Sequence, residues 1–153
     1  DATDLSFADH QFDSAMTIHA AMNIADKDKM YQQAQRVLKP GGIFCIYDIL
    51  QGEGGDAYYP APWAQDSSIS HLVSSNEMQD LLRNAGFKVL DIHDSTEESL
   101  DWIQSRSAKM GTAVPVPITT QILFADDYRK MADNQVTGLR ERRIRTVAFV
   151  CEA

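Results

Sequence analysis

The sequence predicts an α/β fold, a doubly wound and mostly parallel sheet with an antiparallel last strand and a helical cap insertion. Three observations carry that reading. Strand-like apolar runs alternate with helix-like stripes along residues 12–92, the order that gives right-handed crossovers and helices on both sheet faces. Residues 43–50 are almost continuously apolar, as in a strand covered on both sides. Between helix and strand lies Pro40-Gly41-Gly42, a stop followed by a reversal.

Residues 12–18 read as the first strand, short, apolar and bounded by polar neighbours. Asp26 can cap the next helix through its side-chain oxygen, and Met30, Tyr31, Ala34, Val37 and Leu38 then share one helical face. Ser74-x-x-Glu77 has the form of a capping box. Met78, Leu81, Leu82 and Ala85 make an i, i+3, i+4, i+7 stripe closed by Gly86, and residues 87–92 read as a strand. A last strand spans 146–151 and should pair with it as an antiparallel hairpin at the sheet edge. Between them, Ser95-x-x-Glu98 is a second possible cap, for a helix holding Leu100, Trp102 and Ile103. Val114-Pro115-Val116-Pro117 predicts an extended break, and 118–132 a helix. Gly52-Glu53-Gly54-Gly55 reads as a flexible loop.

The chain of 153 residues is one domain's worth. Its formal charge of −8 argues against broad contact with a nucleic-acid backbone, which needs a positive face. The one basic cluster, Arg140, Arg142, Arg143 and Arg145, reads as a solvated segment paired with local acids. No apolar run approaches the roughly 18 residues that span a bilayer, so no membrane association is expected. Cys45 and Cys151 each lie in a strand-like run and read as buried free thiols, which suits a cytoplasmic protein. No Cys/His spacing suggests a metal site.

One set of motifs has a family. Asp1-Ala2-Thr3-Asp4-Leu5-Ser6-Phe7, Phe12-Asp13, Arg36-Val37-Leu38-Lys39-Pro40-Gly41-Gly42 and Leu81-Leu82-Arg83-Asn84-Ala85-Gly86-Phe87 together resemble the second half of a class I S-adenosylmethionine-dependent methyltransferase, with a partial Rossmann-like sheet. The resemblance runs from Asp1 to about Asp94, and a looser likeness at Pro62-Trp63 and Asp94-Ser95-Thr96 points to the sarcosine and dimethylglycine methyltransferase-like branch. It implies S-adenosylmethionine as cofactor. Asp1 would accept from the adenine amino group, the Ala2 backbone N–H would meet a ring nitrogen, and Thr17, Ile18 and His19 would end a strand beside the sugar and methionine part. Asn23 stands where many relatives place a histidine. The family's Gly-rich cofactor loop is absent from this sequence, so residues 1–153 are expected to be one truncated domain, with 97–143 as the helical cap insertion. An exposed sheet edge could then support a homodimer.

In this superfamily the segment after the Lys-Pro-Gly-Gly strand shapes the acceptor pocket. Here that segment holds Tyr58, Tyr59, Trp63 and His71, and Asp48 ends the strand before it. With Asn23, these are the candidate substrate-binding residues. Aromatic rings on an acidic chain could favour an amine through cation–π contact. Methyl transfer needs positioning and desolvation, and a base only when the acceptor must lose a proton, so no catalytic residue is assigned. His19, His71 and His93 are the histidines that could act. The expected activity is methyl transfer to a small-molecule N or O acceptor. The competing reading is a non-catalytic ligand-binding or protein-interaction module derived from such an enzyme.

Overall fold

A computed structural model describes residues 1–110 and 127–153. The strands are β1 (Phe12–Ile18), β2 (Leu38–Gln51), β3 (Lys88–Asp94) and β4 (Ile144–Glu152); the helices are α1 (Lys27–Val37), α2 (Ser75–Asn84), α3 (Thr96–Met110) and α4 (Tyr128–Arg140). The predicted break at 114–117 and most of the predicted helix at 118–132, with Phe124, lie outside the described residues.

The sheet has the order β1-β2-β4-β3. β1 and β2 are parallel, and β4 runs antiparallel to both β2 and β3, so three strands share one direction and the last opposes them. The antiparallel β3–β4 pair lies at one edge of the sheet, as expected. β4 lies inside the sheet and β3 forms the edge. Burial agrees with this order, because Val147, Phe149 and Cys151 of β4 are buried while β3 is largely exposed.

Alternation along β2 sorts the two faces. Phe44, Ile46 and Leu50 join Tyr31, Ala34, Met78, Leu82 and Phe87 under α1 and α2. Ile49 faces the other side, where Leu100, Leu139 and Ile144 pack beneath α3 and α4. Phe44 pairs across the ladder with Cys151, and Cys45 with Val150. Residues directly opposite share a face, so the two cysteines point to opposite sides of the sheet. Both are free, and burial pushes the Cys151 thiol up to about 11.

Local chemistry sets the helix ends. The Asp26 carboxylate accepts the Lys29 N–H at 3.0 Å, and the Ser74–Glu77 capping box forms in full. Gly86, at φ +100°, closes α2 in a conformation few other residues adopt. Helix α1 ends one step earlier than Pro40 requires. Leu38 is already extended, and Pro40-Gly41-Gly42 belongs to β2. The Ser95 capping box does not form. Asp94 caps α3 instead, its Oδ1 accepting the Thr96 N–H at 3.0 Å.

The Gly52–Gly55 segment is docked rather than loose. The Gly52 N–H donates to the Arg143 carbonyl, and the Gly54 N–H to the Arg142 carbonyl, each at 2.8 Å. Three cluster arginines are paired as expected: Arg142 with Glu97, Arg143 with Glu141 and Arg145 with Glu53, each at 2.7 Å.

Candidate active site

The carboxyl ends of β1 and β2 meet α3 and α4 around a cleft of about 350 Å³. Ligands of open α/β sheets occupy this end. Ile49, Trp102, Ile103 and Leu139 supply its apolar wall, and His19, Tyr47, Ser95, Ser99 and Thr146 a polar seam, with Glu98 and Gln135 beside them.

The polar seam is ordered. Ser95 Oγ lies 3.2 Å from both the Tyr47 hydroxyl oxygen and the Thr146 carbonyl, and its single proton can serve either. The Tyr47 hydroxyl lies 3.3 Å from Ser99 Oγ, and Ser99 Oγ lies 2.8 Å from Thr146 Oγ1. This ties the first turn of α3 to β2 and β4. His19 stands just past β1, its N–H on the Tyr47 carbonyl at 2.8 Å and its ring tilted against the Tyr47 ring at 5.0 Å between centroids. Its φ of 49° lies in the left-handed region, uncommon for a residue with a side chain.

Asp48 points away from the cleft, into the α1 and α2 side. It is 1% exposed and accepts the Ile49 N–H at 2.9 Å and the Met22 N–H at 3.1 Å. Burial raises its carboxyl pKa, opposed by those two N–H groups and by the fields of His19 and Lys27. Lys27 is buried too, donating to the Ile24 carbonyl at 2.8 Å and to that of Ala21. Desolvation lowers it to about 8, against the field of Asp48. Together the two side chains hold the turn that follows His19.

The other sequence candidates scatter. Asn23 donates to the carbonyls of Trp63 and Ile69 at 2.7 and 3.0 Å, and the His71 N–H donates to the Met22 carbonyl, so both lash the 52–75 segment to the turn. The Trp63 indole N–H donates to Ser70 Oγ at 3.0 Å, and its ring packs against the α3–α4 core. Tyr59 is half-buried and absent from the cleft lining. Tyr58 donates to Glu141 Oε2 at 2.8 Å, and its ring carries the Arg143 guanidinium at 4.4 Å. The cation expected on an aromatic face is therefore the protein's own. Of the substrate and cofactor candidates, only His19 lines the cleft. Tyr47, Ser95, Ser99 and Glu98 were missed as site residues. Tyr47 had left a signal, as a polar break in the apolar run of β2.

For S-adenosylmethionine, the residues present fit one side. Asp1 Oδ1 accepts from the Thr3 N–H and hydroxyl at 2.8 and 2.9 Å, while Oδ2 has no partner among the described residues. Ala2 packs on the core, Thr17 and Ile18 end β1, and His19 follows directly. Among the described residues no group of His, Cys, Asp and Glu could hold a metal ion, and no helix is long and apolar enough to cross a membrane.

This architecture is the class I methyltransferase fold. Residues 1–46 match the methyltransferase domain family. An O-methyltransferase of Penicillium expansum is 37% identical over 103 residues, 63% of this chain and 35% of its own length. Another, of Aspergillus sclerotiorum, is 32% identical over 71% of this chain and 43% of its length. The chain thus spans less than half the length of these relatives. Among solved structures, phosphoethanolamine N-methyltransferase 2 of Haemonchus contortus, with S-adenosylmethionine bound, aligns at TM-score 0.76 and 16% identity over 99% of this chain and 35% of its own. The [4+2]-cyclase SpnF aligns at 0.66 and 20% identity, over 99% and 53%. The chain has the class I methyltransferase fold and, over residues 1–46, the sequence pattern of the methyltransferase domain, and S-adenosylmethionine is the cofactor that this resemblance implies.

Proposed function

We propose that the chain serves S-adenosylmethionine-dependent methyl transfer to a small-molecule N or O acceptor held in the cleft beneath α3 and α4. The carrying observation is that cleft: it lies at the ligand-binding end of the sheet, next to the strand end that the family pattern assigns to the cofactor. Bound S-adenosylmethionine would supply an electrophilic methyl group. Asp1 and Ala2 would hold its adenine, and the end of β1 its sugar and methionine part. The apolar wall would exclude water from the acceptor, and positioning is the main catalytic contribution such a displacement needs. Calorimetric titration with S-adenosylhomocysteine tests this. Micromolar binding is expected, and no heat at millimolar ligand would refute cofactor use by this chain.

A second reading, as an interaction module, rests on the β1 edge. Met16 and Ile18 are 70% and 56% exposed there, and an open edge invites pairing. It predicts a homodimer by light scattering. A monodisperse monomer would remove that support.

A further inference from the structure

We propose that the acceptor is an apolar molecule bearing a hydroxyl group, and that His19 is the group that takes its proton. This rests on the methyl-transfer reading and goes beyond it, because an amine acceptor or an unsaturated carbon would not need that proton acceptor at the moment of attack.

Three independent features converge. The cleft is apolar over most of its wall, through Ile49, Trp102 and Leu139, which suits a hydrophobic body. Its polar seam is made of neutral hydroxyls, Tyr47, Ser99 and Thr146. Each can give or accept a hydrogen bond, as recognition of another hydroxyl requires. His19 sits where the seam meets the ends of β1 and β2, exposed and held by the Tyr47 carbonyl and ring. Its left-handed backbone costs free energy that an ordinary strand end would not, and such outliers gather at working sites. The groups facing it are the Tyr47 ring and the Asp48 carboxyl of β2, and Glu98 of α3 lines the same cleft. An amine acceptor has less to hold it, since the Tyr58 ring face is taken by Arg143 and Glu98 lies 3.6 Å from His93.

The step balances simply. The acceptor O–H gives its proton to an imidazole nitrogen, and the oxygen pair forms the new O–C bond. The methyl carbon's bond to the sulfonium breaks, its electron pair staying on sulfur as a neutral thioether.

The test compares binding of 2-naphthol and its methyl ether, 2-methoxynaphthalene, to this chain by NMR titration. The naphthol should bind roughly 5- to 10-fold more tightly, as one added hydrogen bond provides, and should shift the His19 ring resonances where the ether does not. His19→Asn keeps a residue tolerant of the left-handed backbone and should bring the two affinities within about twofold. Tyr47→Phe should narrow the gap less. Equal binding of the two probes to the unaltered chain, binding of neither, or an undiminished preference in His19→Asn would each overturn the assignment. S-adenosylhomocysteine titrated in parallel separates the outcomes. Its binding without a naphthol preference rejects the hydroxyl acceptor alone, and its failure rejects the methyl-transfer reading on which this one stands.

Discussion

Asp48→Ala should destabilise the protein by about 3–5 kcal/mol in chemical denaturation, the range found when one member of a buried charged set is removed. The carboxylate accepts the Met22 and Ile49 N–H groups, and its field helps keep buried Lys27 protonated. Asp48→Asn keeps an acceptor oxygen and should cost about half as much. The pH dependence identifies the cause. Lys27 falls from 10.5 to about 8 on folding, so above pH 8 the unfolded chain holds the extra proton and stability rises with pH. Cys151, raised from 9.0 to about 11, works in the opposite sense above pH 9, where the folded chain holds the extra proton. The window from 8 to 9 therefore reports Lys27. In Asp48→Ala the lysine loses its supporting field, its rise begins below pH 8, and the deficit shrinks between pH 7 and 9. A deficit below 1 kcal/mol, or one independent of pH, would show that the carboxylate does not support the lysine.

Gly52→Ala is the second large effect, about 3 kcal/mol, at the upper end of ordinary overpacking. A Cβ there would stand 2.0 Å from the Arg142 carbonyl oxygen. That neighbour is backbone and cannot swing aside. Gly41→Ala separates contact from conformation. Its φ is +77°, yet a Cβ meets nothing within 4 Å, so only the backbone penalty of about 1 kcal/mol applies. Thermal unfolding of both variants checks the order, and a smaller loss at Gly52 than at Gly41 would contradict the close approach.

Most of the frame was legible because it rests on local rules. Phe12–Ile18, the Asp26 cap and the Ser74–Glu77 box are each decided within a few residues, and all three match the structure. What needed distant partners was not. The position of β4 between β2 and β3 depends on pairing across the chain, and the reading of Gly52–Gly55 as loose failed because its partners lie near Arg142 and Arg143. Ser95 looked like a cap because its spacing to Glu98 was right, but Tyr47 and Thr146 claim its hydroxyl. Helix α4 runs to Arg140, past the predicted end at 132, because Leu139 and Gly138 pack on the sheet side where propensity alone would have ended it. The site was legible mainly as a place, the end of β1. The aromatic residues picked out in the sequence contact the protein's own groups, and the polar seam of the cleft is made of hydroxyls too common to stand out.

The inside position of β4 has a consequence for how the molecule is made. Its partners in β2, such as Ile43 opposite Glu152, are separated by about 100 residues of chain. During synthesis β2 waits with one ladder unpaired until β4 has been made. For that interval β2 relies on β1 and on the helices made before β4 to keep it from other chains.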